Sequence, residues 1–417
     1  MIVHIDCNSF YASVEIVSHP ELAGRPVVVA NNNEAGGGII LALTKEAKKL
    51  GLRRGDPVFK VRKTLEANNV AMFDADLRKY RDMSRRIMKT VIEQEIIINF
   101  LQYSVDEFFG EIPVDDPPTV RQCLEQVVAV INDNCGIPVS CGCSCTYTLA
   151  KTATWFAKHY EAYNGICIIT PEVREKALKK IPIEGIWGIG RRSAPRLKQY
   201  GIITAYDFAS LGESVVNMLM TTTGVRTWRE LHGIPAIDMT APEHQQSIMH
   251  SRTFPFMVTE LEKLHELLSN YAADVAANLR SDNCLCRTIT VFVCTNPHRT
   301  DLPQYSNSDT ARLAAATSNT QEIVRVALHL LDGIYAKGYK YKRMGIVLGG
   351  IVEDAGWQLD LFDKVNTSEN RRLMEATDRL NAKYGRGTVR LSVQGSPSRK
   401  PPTPSTDTDS QPTPTKS

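Results

Sequence analysis

Short, nearly continuous apolar runs alternate along the chain with longer stretches in which apolar residues recur at helical spacing. The runs at residues 2–5, 25–30, 39–42, 98–105, 139–145 and 166–169 predict strands. Helices are predicted through 11–16, with Asn8 or Ser9 as cap, through 44–50 with Gly51 as its stop, and over 77–97, 119–133 and 149–160. A loop, N-N-N-E-A-G-G-G, separates the second and third strands. This mixture suits an α+β sheet domain with helices on one face. From Thr170 to about Pro235 the pattern is helical. A second α+β block runs from about Gln246 to Val352, with strands at 285–294 and 344–352 and helices at 261–280 and 321–336. From Ser396 the chain is rich in Pro, Ser, Thr and Asp, a composition that cannot bury a core, and a disordered tail is expected.

Composition narrows the class without deciding the chemistry. A chain of 417 residues, 43% hydrophobic and 23% charged, fits a soluble protein of several domains. No apolar run approaches the roughly 18 residues that span a bilayer, and the N-terminus opens on a strand pattern without a basic leader. A cytoplasmic protein with no membrane partner is expected. The net charge of +3 neither requires nor excludes nucleic acid. Local clusters at 174–180, 191–198, 371–372 and 383–390 matter more than the total. Of the ten cysteines, Cys141, Cys143 and Cys145 alternate, and Cys284 and Cys286 repeat that spacing. Alternation puts side chains on one face of a strand, whereas zinc sites usually space their cysteines by two to four residues in two pairs. Core packing is the expectation, and a cytosolic setting disfavours disulfides.

Candidate chemistry enters with two acidic motifs at strand ends. Asp6 lies in I-D-C-N-S-F-Y-A-S-V-E, and Asp106 and Glu107 lie in Y-S-V-D-E-F-F-G. Gathered carboxylates offer the oxygen donors that magnesium prefers, and two ions about 4 Å apart activate a hydroxyl and neutralise a departing pyrophosphate. Neighbours in a regular strand face opposite ways, so Asp106 and Glu107 serve one site only if the backbone bends there. Phe-Phe-Gly, which follows, is compatible with a bend. A lone D-E pair is otherwise a common solvated surface feature.

Together these two motifs resemble those of the Y-family DNA polymerases. Further matches follow in the family's order: G-R-P-V-V-V, E-A-K-K-L-G, G-D-P-V-F-K, L-A-K at 149–151 and W-G-I-G-R-R at 187–192. The last of these, with L-N-A-K-Y-G-R-G-T at 380–388, resembles the UmuC branch. The resemblance covers about residues 1–395. It implies an α+β multidomain, right-hand polymerase: a ferredoxin-like palm (1–12 and 76–170), small fingers (13–75), a helical thumb with a helix-hairpin-helix (171–238) and an α+β little finger (246–353), then a C-terminal segment (354–395) and the tail (396–417). The activity implied is error-prone, template-directed addition of deoxynucleotides to a primer 3′ hydroxyl opposite damaged bases, in the SOS response. A DinB-like polymerase IV, a nucleotide cyclase and an inactive DNA- and clamp-bound accessory protein are the rivals. The hairpin and the clamp peptide disfavour the cyclase.

For the residues, the resemblance implies two Mg2+ ions held by Asp6, Asp106, Glu107 and the Cys7 main-chain carbonyl. Tyr11 takes the steric-gate position, where a flat ring under C2′ leaves no room for a ribose hydroxyl. Taken alone, a Tyr in an F-Y-A-S helix is more often packed core. Lys48 and Lys158 match positions that neutralise the incoming triphosphate, whose oxygens are anionic in the transition state. Two departures stand out: Tyr147 where the family commonly has lysine, and Leu43 where UmuC relatives often have arginine. Lys45 is a candidate replacement for the missing charge.

The segment I-E-G-I-W-G-I-G-R-R-S-A-P-R-L-K reads as a helix-hairpin-helix. Gly188 and Gly190 allow a close approach to phosphate, and Arg191, Arg192, Arg196 and Lys198 add charge for sequence-independent binding of primer-template DNA. Ser251 and Arg252, in S-R-T-F, match the little finger's opening strand and would contact template phosphates. Gln358, Leu359, Leu361 and Phe362, in W-Q-L-D-L-F, fit a sliding-clamp peptide. The blander reading is an amphipathic strand on the little finger. A UmuD-type dimer, RecA and association with a bacterial nucleoid are implied by the resemblance alone.

Overall fold

A computed structural model of the chain describes residues 1–31, 38–239, 245–354 and 368–395. It forms two compact units, Met1–Ala241 and Pro242–Ser417. The clamp-like peptide at 358–362, the tail, and most of the N-N-N-E-A-G-G-G loop lie outside the described residues.

In chain order the first unit comprises β1 (Ile2–Cys7), α1 (Phe10–Ser18), β2 (Val27–Asn31), β3 (Ile39–Leu43), α2 (Lys45–Lys49), α3 (Val58–Ala67), β4 (Ala71–Asp74), α4 (Leu77–Ile92), β5 (Ile98–Gln102), β6 (Glu107–Glu111), α5 (Pro117–Cys135), β7 (Val139–Ser144), α6 (Tyr147–His159), β8 (Ile166–Ile168), α7 (Pro171–Leu178), α8 (Ser193–Gln199), α9 (Ala205–Ala209) and α10 (Glu213–Leu231). Its main sheet has the order β5-β6-β1-β7-β8 and is antiparallel except at β7–β8. Strand alternation sorts β1: Val3, Ile5 and Cys7 enter a core with α4 and α5, while His4 and Asp6 point the other way, towards α6. Helices therefore cover both faces rather than the single face expected. The reason lies in β7, V-S-C-G-C-S, which is buried along its whole length. Cys141 and Cys143 pack opposite Ile5 and Val3 on one side. On the other, Gly142 lets α6 lie against the strand, because a Cβ there would collide with Thr154 N and Ala150 O.

A smaller mixed sheet, β3-β2-β4, carries α2 and α3 on a core of its own. Leu43 is buried in that core, which accounts for an apolar residue at this position. Helices α7–α10 share a core with the outer side of α6 through Leu149, Ala153 and Phe156. Thr221, at φ 62°, kinks α10.

The second unit holds β9 (Ser247–Val258), α11 (Leu261–Ser281), β10 (Cys284–Thr295), β11 (Ser306–Thr317), α12 (Thr320–Ile334), β12 (Tyr341–Gly349), β13 (Val352–Glu353) and α13 (Ser368–Tyr384). The sheet β11-β10-β12-β9 is antiparallel, with α11 and α12 packed on its apolar face. Ser251, Gly345, Phe292 and Ser308 stand in register across its four strands, and the Phe292 ring lies over Gly345, where a Cβ would meet it. Arg280 on α11 forks onto Asp378 on α13 at 2.7 and 2.8 Å, and Asn270 donates to the Gln394 carbonyl at 3.0 Å. These bonds tie the C-terminal segment to α11. All ten cysteines are free thiols, with Cys145 exposed just beyond β7. Among the described residues no helix is long and apolar enough to cross a membrane.

Candidate active site

Register does the first part of the assembly. β1 and β6 pair so that Asp6 faces Glu107. The bend that the acidic pair needs is a turn between β5 and β6. Tyr103 N and Ser104 N both donate to Glu107 O, at 3.0 and 3.1 Å, and Cys7 N donates to Asp106 O at 2.9 Å. Asp106 thereby escapes strand alternation, and Ser104 Oγ donates to its Oδ1 at 2.7 Å. Glu107 and Asp106 both lie close enough to Asp6 to act on it electrostatically. Burial, opposed by Lys158 and reinforced by Glu107 and Asp106, pushes Asp6 up to about 6.

Helix α6 supplies the cations. Lys158 Nζ pairs with Asp6 Oδ1, and Lys151 Nζ, two turns earlier on the same face, donates to Glu107 Oε1 at 2.8 Å. Burial pushes Glu107 up, but the His4 imidazole and the Lys151 ammonium outweigh it and hold the carboxyl at about 2. His4, whose Nδ1 lies 2.9 Å from Thr154 Oγ1, is driven down to about 4 by burial and is therefore neutral near pH 7. Among the described residues no group of three His, Cys, Asp or Glu is placed to hold a metal ion in this arrangement. The donor types still suit a hard divalent cation, since the three side chains are carboxylates and two ammonium groups are already drawn to them.

Tyr11 stacks on Tyr80, with ring centroids 4.2 Å apart and 14° between planes. Tyr80 is fully buried, and its hydroxyl donates at 2.7 Å to the buried Glu15, which Lys79 also pairs at 2.6 Å. Sequence reasoning missed this support, because Glu15 and Tyr80 are 65 residues apart. Lys48 is exposed on α2 and shares a shallow cleft with Arg53 and Arg54. Arg54, also missed, lies near enough to Tyr11 to oppose the upward push of burial on its hydroxyl. Tyr147 meets Phe109 edge-on at 5.1 Å.

In the hairpin, Gly188 (φ 89°) has a protein-internal reason to be glycine, since a Cβ would strike Thr227 Oγ1. Gly190 has open space at that position. The limb before the turn is a single 3-10 turn, Ile183–Gly185. Arg191 and Arg192 are exposed. Arg196 bonds the Leu219 carbonyl and Lys198 pairs with Glu184 at 2.8 Å, so neither is as free for phosphate as its charge alone suggests. Ser251 accepts from Arg343 at 3.0 Å, and Arg252 is exposed on β9. Glu230, at the end of α10, is fully buried. It accepts from Thr148 N at 2.9 Å, capping α6, and from Ala236 N and Ile237 N at 2.9 and 3.3 Å.

Residues 5–155 match the impB/mucB/samB family, residues 245–361 match that family's C-terminal domain, and residues 371–402 match a domain of unknown function, DUF4113. The chain is 35% identical to the protein UmuC of Salmonella typhimurium, over 94% of this chain and 92% of that one. It is 26% identical to a DNA polymerase IV of Desulfatibacillum aliphaticivorans, over 93% of this chain and 95% of that one. A solved Y-family DNA polymerase chimera of Dbh and Dpo4 superposes with a TM-score of 0.66 at 20% identity, covering 84% of this chain and 99% of the chimera. The fold is thus that of a Y-family DNA polymerase. The chain belongs to the impB/mucB/samB family and is a translesion DNA polymerase of the UmuC type.

Proposed function

We propose that Asp6, Asp106, Glu107 and the Cys7 carbonyl hold two Mg2+ ions in a palm formed by 1–12 and 76–170, and that this site extends a primer opposite damaged bases during the DNA-damage response. Register carries the assignment: Asp6 faces Glu107, and the turn sets Asp106 beside them. When bound, the metals supply activation of the 3′ hydroxyl and neutralisation of pyrophosphate charge. The chain's own residues do the rest. Lys158, Lys48 and Arg54 balance the triphosphate. Tyr11, stiffened by its stack on Tyr80, excludes a 2′ hydroxyl. Arg191 and Arg192, with the open face at Gly190, hold duplex phosphates from the thumb (171–238). Ser251 and Arg252 do so from the little finger (246–353), and residues 13–75 form the fingers.

Replacing Tyr11 with Ala should raise ribonucleotide insertion relative to deoxyribonucleotide insertion on the order of 10- to 200-fold, in the range set by steric pocket discrimination. Single-nucleotide insertion kinetics read this directly, and unchanged discrimination would remove Tyr11 from the gate. The clamp contact is proposed at Gln358, Leu359, Leu361 and Phe362. Leu361→Ala with Phe362→Ala should abolish clamp pull-down and leave extension by the free enzyme intact, whereas retained clamp capture refutes the assignment. A UmuD-type dimer, RecA and a location with the bacterial nucleoid complete the reading, supported by similarity to UmuC over 94% of the chain.

A further inference from the structure

We propose that Lys151 is a resident counter-ion of Glu107 that a divalent metal must displace, and that Tyr103, Phe109 and Trp187 form the aromatic pocket that receives its ammonium. The hairpin carrying Trp187 then sets how readily the carboxylates take up metal. The inference rests on Glu107 being a metal ligand.

Lys151 Nζ lies 2.8 Å from Glu107 Oε1, with both side chains largely out of solvent, 18% and 21% exposed. Such a pair is screened little, so its attraction is strong. A doubly charged ion on the same carboxylate would repel the ammonium at once. The paired ammonium already rests against aromatic rings, which can keep it once its bond to the carboxylate is broken. Its Nζ is 4.7 Å from the Tyr103 ring centroid, 5.4 Å from that of Trp187 and 6.0 Å from that of Phe109. All three rings fall at or within the roughly 6 Å reach of cation–π attraction. The carboxylate also has a second neighbour, since the buried His4 Nε2 has no hydrogen-bond partner and stands 3.6 Å from Oε1. Lys158, paired with Asp6, has no aromatic ring beneath its ammonium among the described residues.

Trp187 is the wall that comes from outside the sheet. Its indole N–H donates to Tyr103 Oη at 3.2 Å, and the two rings meet at 84°. Its backbone is set by α10, where Thr227 Oγ1 donates to Trp187 O at 3.4 Å and Gly188 leaves Thr227 room. A change in the hairpin on DNA binding would therefore reach Lys151 through one side chain.

Mn2+ binding to the full chain, without DNA or nucleotide, tests this by electron paramagnetic resonance of free Mn2+. Lys151→Met should tighten binding at least about tenfold, because the competing charge is gone. Trp187→Leu should weaken it about two- to fivefold, because the displaced ammonium loses a π face. Trp187→Phe, which keeps a face, should stay near wild type. The double variant should bind like Lys151→Met alone, since the tryptophan acts through the lysine. Unchanged binding in Lys151→Met, or a Trp187→Leu effect that persists without Lys151, overturns the proposal. Glu107→Ala separates the two levels. If it binds Mn2+ as wild type does, the ligand assignment has failed. If it loses the ion while Lys151→Met gains nothing, only the counter-ion role has failed.

Discussion

Replacing Asp106 with Ala lowers primer extension on the order of a thousandfold or more, in an assay with primer-template, deoxynucleotides and Mg2+, as expected for removal of a group that holds catalytic charge in place. The size follows from the pairing pattern. Asp6 is paired with Lys158 and Glu107 with Lys151, so two of the three carboxylates already have their charge balanced. Asp106 has only the Ser104 hydroxyl and no cationic partner among the described residues. It is the carboxylate open to an incoming cation, and its loss leaves a site with little unbalanced negative charge. The fold should not suffer, because Asp106 is only half-buried and its backbone carbonyl, which holds Cys7 N, remains. Unchanged far-UV circular dichroism with lost extension is the expected combination. An Asp106→Ala enzyme that extends like the wild type would refute the catalytic assignment. A wild type that extends no primer, even with clamp and partner present, would favour the accessory role instead.

Gly142→Val should cost about 3 kcal/mol or more of stability, enough to prevent accumulation of folded protein. A Cβ at this position meets the main chain of α6 at Thr154 N and Ala150 O and also the Thr154 hydroxyl. Backbone atoms of a helix cannot step aside singly, so α6 must lift from β7 as a unit. Lys151, Thr154 and Lys158 would move with it, breaking the contacts to Glu107, His4 and Asp6 together. Soluble yield measures this, together with thermal or urea unfolding of any variant that purifies, and a soluble variant with the wild-type midpoint refutes the prediction.

Much of the carboxylate site was legible because its signals are local. Asp6 closes a short apolar run, but the bend expected at D-E falls just before it, at residues 103–106, and F-F-G continues as strand in β6. What stayed hidden depends on partners far apart in sequence. Lys151 finds Glu107 across 44 residues, and Trp187 finds Tyr103 across 84. No periodicity announces such pairs. Strand β11 escaped because its S-N-S-D-T-A-R run carries no apolar face until its end, and β4 is only four residues long. The predicted helix over 77–97 ends at Ile92, and the strand over 98–105 ends at Gln102, where the turn begins that frees Asp106. The cysteine alternation was read correctly as packing for Cys141 and Cys143, but Cys145 falls past the end of β7 and is exposed.

The buried carboxylate of Glu230 has a consequence for the order in which the molecule is completed. One of the first backbone N–H groups of α6, that of Thr148, waits for a partner made 82 residues later. While the chain emerges from the ribosome, β1, β6 and β7 are available well before that partner is. The helix bearing Lys151 and Lys158 then lacks one of its caps until α10 has formed. A nascent chain released early, or one truncated before residue 230, would carry all three acidic residues and still lack a finished cation-bearing helix. The last step in making the first unit is thus also the step that completes the support of its lysines.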